Sequence, residues 1–407
     1  MSRILFYCFS VLFLIACNKE DNRPVIEEKE RTLLIYIAGN NSLSGNVDRS
    51  LENIKSGVRN ADSNSDYVLV YVDKRGNNPR LLLIEKEEGT VVQKVVKEYE
   101  AQNSASKEVM STVLKDAFGA YPSKRQALSL WSHGYGWVPS SFPPSRGNYR
   151  GTYSEDSMNP LLRHVVLTRW FGQDGSDFME LAELKEVLKQ FPKFEYIVFD
   201  ACLMGNIEVV YELRDCADYI IASPTEVLAY GFPYQWMLPF MCKPVPDLQR
   251  ACEQFYEFYN TKQDNQIASA SIALVQTSGL EPLASTVAAI MAGNTSLASL
   301  NPDNVQAYDP YVNNVFYDLG DFIGQIAPSD AYELFLQRLE QVVLAAYHTP
   351  TTLSALVSGW GSTITIQKYS GLSTYIKIPK YSSLNPDPDY DLSAASALLE
   401  WNRAIGY

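Results

Sequence analysis

The chain has 407 residues, of which 46% are hydrophobic and 20% are charged. This composition is typical of a globular protein and excludes a chain that is disordered over most of its length. The net charge of −13, from 34 basic and 47 acidic side chains, repels polyanions, so we expect no nucleic-acid partner. The length allows one large domain or two modest ones.

The first 17 residues have the pattern of a targeting segment. Arg3 precedes an apolar run, Ile4 to Ile15, that is too short to span a bilayer as a stable helix. The run ends in Leu-Ile-Ala-Cys, which resembles the lipobox of bacterial lipoproteins, and this resemblance implies acylation of Cys17. A plain secretory signal with an incidental cysteine is the alternative. Two or three acyl chains give stable anchoring in a lipid bilayer.

A charged segment, residues 18–30, follows Cys17, and we expect it to be a solvated tether. Its Lys19-Glu20-Asp21 run is similar to the export signal that sends some lipoproteins to the outer cell surface. We therefore expect an extracytoplasmic, outer-membrane lipoprotein that this signal exposes at the cell surface.

After the tether, apolar runs rich in β-branched and aromatic residues alternate with helix-like periods, as is typical of a parallel sheet flanked by helices. Stretches such as 47–59, 107–120 and 180–190 predict the helices. The predicted strands cover residues 33–38, 67–73, 80–85, 127–131, 196–199 and 219–222. The expected fold class is therefore α/β, with a parallel-type sheet of about six strands.

We divide the chain into a first domain, residues 31–244, and an α+β C-terminal region, residues 245–407. Within the first domain, residues 137–177 are rich in Pro, Ser, Gly and Arg and are predicted to be a long surface insertion. The second region is predicted to include a strand at 272–275 and a helix at 329–347. It has few candidate catalytic groups, so we expect a supporting role.

Three histidines occur in the chain, and His133 is the one that directly follows a buried-type strand, 127–131. The carboxyl ends of such strands are where ligands bind in open α/β sheets. Gly134 comes next, and a glycine there lets a backbone N–H approach a substrate closely. A hydrogen-bonded histidine in a tight turn is the alternative. His164 and His348 are expected to be solvated or capping.

Cys202 occupies the equivalent place after the strand at 196–199. The chain is predicted to enter a helix at Ile207, with Asn206 as its N-cap. We expect the positive end of the helix dipole to stabilise the Cys202 thiolate. A small core cysteine is the alternative. Because His133 and Cys202 both follow strands that are predicted neighbours, we interpret them as acid/base and nucleophile.

A His-Gly pair after one strand and the Asp-Ala-Cys run at 200–202 after a later strand resemble the clostripain family of cysteine peptidases. That family belongs with caspases, gingipains and legumains. The similarity also takes in residues 34–43 and 202–209, and it is looser at 370–375. The resemblance implies a caspase-like fold and a cysteine-type endopeptidase.

The resemblance also assigns roles to residues. It implies a catalytic dyad of His133 and Cys202, with the oxyanion held by the backbone N–H groups of Gly134 and Cys202. No metal is needed for this chemistry. The resemblance allows Ca²⁺, because a family member depends on calcium, but no EF-hand-like run marks a site, and no His/Cys spacing suits zinc.

Family members commonly cleave after Arg or Lys, and the resemblance places Asp200 as the carboxylate that pairs with the substrate cation. Two departures leave this preference open. Asn40 stands where an Asp is usual, and residues 224–232 lack the acid expected near Tyr230. A structural role for Asp200 in the turn is the alternative.

Many relatives cut themselves between the His and the Cys, so the resemblance implies self-processing within the insertion. Its arginines are Arg146, Arg150, Arg163 and Arg169. We expect polypeptide substrates and a lipid bilayer as partners, and the sequence leaves the oligomeric state open. Two other functions stay open: a catalytically silent surface lipoprotein that binds peptides or proteins, and a cysteine hydrolase that acts on another kind of amide.

Overall fold

The structure, a computed structural model, describes residues 27–62, 64–139, 171–261, 268–293, 296–310, 314–354, 362–377 and 392–407. The strands are β1 (Lys29–Gly39), β2 (Asp66–Lys74), β3 (Arg80–Glu87), β4 (Thr90–Glu98), β5 (Ser123–Trp131), β6 (Phe171–Asp174), β7 (Asp177–Met179), β8 (Phe194–Asp200), β9 (Ala217–Ala222), β10 (Ser271–Gln276), β11 (Tyr317–Asp318), β12 (Val343–His348), β13 (Thr351–Ser354), β14 (Ser362–Thr365) and β15 (Ser373–Thr374). The helices are α1 (Val47–Asn60), α2 (Lys107–Ala120), α3 (Leu181–Leu188), α4 (Ile207–Glu212), α5 (Tyr234–Met241), α6 (Leu248–Asn260), α7 (Leu280–Ala292), α8 (Leu319–Ile326) and α9 (Ser329–Val342), and then Leu392–Ala397 and Glu400–Ala404.

A nine-stranded sheet in the order β12-β10-β9-β8-β5-β1-β2-β3-β4 forms the centre of the molecule. Its middle strands, β9, β8, β5, β1 and β2, pair in parallel. Antiparallel strands complete both edges. The parallel strands are nearly unbroken apolar runs because helices cover both faces, and residues 33–38 of β1 are fully buried. The carboxyl ends of β1, β5 and β8 therefore lie side by side at one edge of the sheet.

The predicted α/β class with a parallel-type sheet flanked by helices is confirmed, but the sheet has nine strands instead of about six. β4 escaped prediction because it is mostly exposed and carries charged side chains between its apolar ones. The predicted helix at 329–347 is too long, since α9 ends at Val342. Residues 343–348 instead pair with β10 as strand β12, a tertiary contact that overrides the local helical period.

Two apolar clusters cover the two faces of the sheet. One cluster includes Val113 of α2 and Phe335 of α9, and the other includes Ile54 of α1 and Phe255 of α6. Because β10 and β12 also extend the central sheet, the second half of the chain packs directly on the first. The boundary at residue 244 stays a prediction.

The predicted signal segment, Cys17 and most of the predicted tether lie outside the described residues, as do the central residues of the predicted insertion at 137–177. The described ends of that insertion are ordered parts of the fold. Trp137 is buried with its ring 5.0 Å from that of Tyr375, and β6 and β7 form a hairpin. Among the described helices, none is long and apolar enough to cross a membrane.

A buried ion cluster joins three parallel strands at their amino ends, the opposite end from His133 and Cys202. The Arg31 guanidinium is fully buried and donates to Asp66 Oδ2 and Glu195 Oε2, each at 2.5 Å. It also donates to the carbonyl oxygen of Met241 at 3.0 Å. Burial raises the pKa of Asp66 to about 6, and the charge of Arg31 opposes that rise. The cluster therefore fixes the start of β1 between β2, β8 and the end of α5.

We predict that Arg31→Met lowers the free energy of unfolding by about 3–5 kcal/mol, because it leaves buried carboxylates without their main counter-charge. Urea denaturation measures the loss. The matched control is Lys94→Met, whose pairs with Glu85 and Glu87 lie at the surface and are expected to contribute little to stability. Equal losses in the two variants would contradict a special role for the cluster.

Candidate active site

His133 lies in the turn that follows β5 and is 5% exposed. Its Nε2 atom is 2.9 Å from the hydroxyl oxygen of Ser42, which belongs to the turn after the neighbouring strand β1. Its carbonyl oxygen accepts a hydrogen bond from Gly172 N of β6 at 3.0 Å. Both the ring and the backbone of His133 are therefore held by adjoining segments.

Cys202 lies in a tight turn directly after β8. Leu203, the next residue, has a φ of +59°, in the left-handed region that a leucine rarely adopts. Two contacts hold it there: Asn206 Nδ2 donates to the Leu203 carbonyl oxygen at 2.6 Å, and Leu203 N donates to Thr225 O at 3.0 Å. The turn that carries the thiol is thus sharp and fixed on both sides.

The predicted start of the helix at Ile207 is confirmed, but the expected support of the Cys202 thiolate by its dipole is weak. α4 begins at Ile207, and Asn206 caps it as predicted, with its Oδ1 accepting from Val209 N at 3.0 Å. The helix cannot begin earlier because Gly205 N donates to Ser223 O at 2.8 Å, which ties the turn to the segment after β9. Several residues of turn separate the thiol from the helix, so its dipole gives the thiolate little support.

The thiol is instead bonded to a backbone segment on the far side of the turn. Cys202 Sγ accepts from Val227 N at 3.3 Å and donates to Val227 O at 3.5 Å. Cys202 as a residue is partly exposed, but its sulfur is surrounded by protein. This desolvation, with the charge of Glu226 as the next cause, raises the pKa of the Cys202 thiol to about 12. The sulfur is therefore protonated at neutral pH in this conformation.

His133 and Cys202 line one cavity at the carboxyl ends of β5 and β8, together with Asp200, Val227 and Leu228. The cavity volume is about 40 Å³, enough for a few water molecules but not for a long side chain. The structure thus brings the two sequence-predicted reactive residues together, in a site that must widen to admit a substrate.

Gly134 packs directly against the nucleophile turn. A Cβ atom at this position would lie 2.8 Å from the Cys202 carbonyl oxygen and 3.0 Å from Ala201 Cβ. Only glycine therefore lets the His133 turn approach the Cys202 turn this closely. Backbone contact between the two turns is what a shared pair of oxyanion donors requires.

Asp200 is 4% exposed and lies at the base of the same cavity. Its Oδ1 accepts from Phe232 N at 3.0 Å, while its Oδ2 is buried and accepts no hydrogen bond within the described part of the chain. Burial raises the pKa of Asp200 to about 7. One oxygen thus holds a turn, and the Tyr234 hydroxyl also acts on the carboxylate, where it lowers the pKa of Asp200. Because Asp200 has these structural partners and also lines the cavity, the structure accommodates both sequence-based interpretations.

The remaining candidates lie apart from the cavity. Asn40, the departure from the family pattern, donates to Asp174 Oδ1 at 2.6 Å. His348 ends β12, with Nδ1 3.0 Å from Thr349 O. The described residues contain no group of three or more His, Cys, Asp or Glu side chains that could hold a metal ion. Calcium dependence stays a prediction.

Sequence reasoning missed Ser42 and Val227, the partners of the imidazole and the thiol. For Ser42 a signal existed, because it follows the Asn-Asn turn at the end of a strand predicted to lie in the same sheet. For Val227 no local signal existed, since its contact with Cys202 spans 25 residues and depends on the path of the loop after β9.

Three known proteins are similar to this chain in sequence or in fold. A secreted C11 cysteine protease from Bacteroides thetaiotaomicron, solved in complex with an irreversible peptide inhibitor, is 29% identical, with a TM-score of 0.77 over 92% of this chain and 98% of that chain. An inactive zymogen C11 protease from Parabacteroides distasonis is 32% identical, with a TM-score of 0.76 over 94% and 99%. Clostripain from Hathewaya histolytica is 23% identical over an alignment of 244 residues that covers 53% of this chain and 42% of that protein.

The chain thus spans less than half the length of the curated relative that it matches. The model of the clostripain family, by contrast, matches residues 35–367, well over half of this chain. The match includes β5, β8 and the turns that carry His133 and Cys202. This chain therefore belongs to the clostripain family.

Proposed function

We propose that this protein is a cysteine endopeptidase that hydrolyses peptide bonds through Cys202 and His133. The observation that carries the proposal is that a thiol and an imidazole line one cavity at the carboxyl ends of adjacent parallel strands. Family membership supports it, as do similar structures described as cysteine proteases, one of them with a peptide inhibitor.

The proposed reaction needs only groups of this chain and water. His133 takes the thiol proton as Cys202 Sγ attacks the scissile carbonyl carbon, and the carbonyl oxygen becomes an oxyanion. The backbone N–H groups of Gly134 and Cys202 donate to that oxyanion. His133 then gives its proton to the leaving amine, the C–N bond breaks, and a thioester remains. Water, deprotonated by His133, attacks the thioester and releases the acid and the thiol.

Activation of the thiol is the step that this conformation opposes. The pKa of Cys202 is raised to about 12 by burial and by the charge of Glu226, and Val227 bonds to the sulfur through both its N–H and its carbonyl. A substrate carbonyl that approaches Sγ must take the place of these contacts. We therefore propose that residues 225–229 move before acylation. The same movement would widen the small cavity.

Specificity for Arg or Lys before the cleaved bond is a finer part of the proposal and rests on Asp200. Its carboxylate is the one acidic group among the residues that line the cavity, and its Oδ2 is buried without a hydrogen bond in the described part of the chain. A guanidinium or ammonium group would supply that bond and a counter-charge. The neighbouring side chains of Val227 and Leu228 are apolar, so a basic side chain depends on this one acid.

Membrane attachment and self-processing complete the proposal. Cys17, where acylation is expected, lies outside the described residues, as do the four candidate arginines of the insertion. The similar protease from Bacteroides thetaiotaomicron is described as secreted, which supports an extracytoplasmic location. We expect a Cys17→Ser variant to be released from the membrane fraction. A variant that stays in that fraction would contradict Cys17 as the lipid anchor.

We predict that the protein without residues 1–17 cleaves members of a positional-scanning peptide library, and that Cys202→Ala and His133→Ala each abolish turnover. Intact mass of the same samples shows whether wild type is cut within the insertion while Cys202→Ala stays whole. Cys252→Ala, a buried cysteine away from the cavity, is the control. Turnover that survives in Cys202→Ala would exclude the proposed nucleophile, and an inactive wild type would favour a binding protein.

We predict that Glu226→Gln speeds alkylation of Cys202 by iodoacetamide near pH 8 by about two- to tenfold. Removal of the Glu226 charge lowers the thiol pKa and increases the thiolate fraction. Mass spectrometry follows the adduct, with Cys202→Ala as background and Glu52→Gln on the surface of α1 as control. An unchanged rate would mean that Glu226 does not influence the thiol.

We predict that the kcat/KM ratio for Arg over norleucine before the cut rises roughly tenfold from about pH 6 to about pH 8, because Asp200 ionises around a pKa of about 7. Below that pH the carboxyl is neutral and attracts no cation. Asp200→Asn keeps an acceptor for Phe232 N, so the turn is preserved while the ratio falls and becomes independent of pH. A ratio that is equal in the two proteins would leave Asp200 a structural role only.

A further inference from the structure

We propose that Ser42 is a positioning residue that holds the imidazole of His133 in the orientation and tautomer required for proton transfer. This inference rests on the proposed function, because it concerns the same reaction. It names a third member of the site, drawn from a strand end that carries neither reactive residue. The contact that motivates it is the 2.9 Å separation between Ser42 Oγ and His133 Nε2.

The direction of that hydrogen bond assigns the nitrogen that reacts. Of the two directions open to a hydroxyl and an imidazole nitrogen, we take the one in which Ser42 Oγ accepts from Nε2–H, so the neutral imidazole keeps its proton on Nε2 and its lone pair on Nδ1. Nδ1 is then the atom that takes the proton of Cys202 and later gives it to the leaving amine. When His133 is doubly protonated, Nε2–H donates to Ser42 in the same way. The bond therefore persists through the cycle, as an orienting bond to a catalytic base must.

Ser42 can orient the ring only because its own backbone is fixed. Asn41 is 2% exposed, and its Nδ2 donates to Ala38 O and to Gln173 O, each at 2.9 Å. Its Oδ1 accepts from Leu43 N at 2.8 Å and caps the short 3₁₀ helix Ser42–Asn46. The bond to Gln173 ties the turn after β1 to β6, and the other two hold the turn internally. The backbone of Ser42 is therefore held in place.

A second set of bonds ties the same turn to the segment that carries the imidazole. Ser132 Oγ donates to Ala38 O at 2.8 Å and accepts from Gln173 N at 3.1 Å. Ser132 immediately precedes His133, so the ends of β1 and β5 are joined one residue before the ring. The framework therefore fixes the two backbone segments from which the Ser42 and His133 side chains extend.

Asn40, two residues before Ser42, faces away from the imidazole. Its Nδ2 donates to Asp174 Oδ1 at 2.6 Å, and its carbonyl oxygen accepts from Gly175 N at 3.0 Å. Replacement of the usual acid at this position therefore leaves the bond from Ser42 to the imidazole intact.

The test compares Ser42→Ala, Ser42→Thr and the matched control Ser44→Ala, using a peptide that wild type cleaves. Ser44 carries the same hydroxyl two residues along, where it accepts from Arg75 N. We expect Ser42→Ala to lower kcat about tenfold, the loss of roughly one hydrogen bond, with KM and Tm close to wild type. Ser42→Thr, which restores the hydroxyl, should recover most of kcat, and Ser44→Ala should match wild type.

A Ser42→Ala enzyme with wild-type kcat would overturn the inference, as would a loss that Thr does not restore or that Ser44→Ala shares. These outcomes differ from failure of the proposed function, which would appear as absence of turnover in wild type.

Discussion

Parallel pairing of β1 with β5 and of β5 with β8 is the constraint on which the candidate site depends. The register pairs Ile37 with Trp131 and Trp131 with Asp200. The carboxyl ends of the three strands are therefore aligned with one another. Neighbouring strands are about 4.8 Å apart, and the turns that follow therefore bring a hydroxyl, an imidazole and a thiol into one row. A slip of one residue in either pairing would turn the reactive side chains to opposite faces.

Contacts from the second half of the chain stabilise the turn that carries Cys202. Ser373 N donates to Gly205 O at 3.0 Å, within the turn that carries the thiol. The fully buried carboxyl of Glu208, on α4, accepts from Thr374 Oγ1 and Tyr375 N at 2.9 and 2.8 Å. The turn that carries the thiol and the helix that follows it are thus held by segments distant in sequence. These hydrogen bonds are a physical basis for the supporting role that the sequence predicts for the C-terminal region.

The parts of the structure that the sequence predicted are those set by local patterns. Residues 196–199 of β8 form an unbroken apolar run, and Asn206 is an N-cap residue followed by a helical period, so both elements could be predicted from neighbouring residues. Strand β12 could not, because its conformation depends on pairing with β10. The environment of Cys202 could not either: its thiol pKa is raised by desolvation and by Glu226, which approach it only when the loop after β9 is in place. The catalytic roles themselves stay predictions.

Covalent trapping tests the central claim most directly. The protein without residues 1–17 is treated with an irreversible electrophilic peptide, and the modified residue is located by tandem mass spectrometry in wild type and in His133→Ala. If the thiol and the imidazole act as a pair, a single adduct forms on Cys202 in wild type and forms far more slowly without the imidazole. An adduct on Cys216, Cys242 or Cys252, or an equal rate in both proteins, would contradict the pairing of Cys202 with His133.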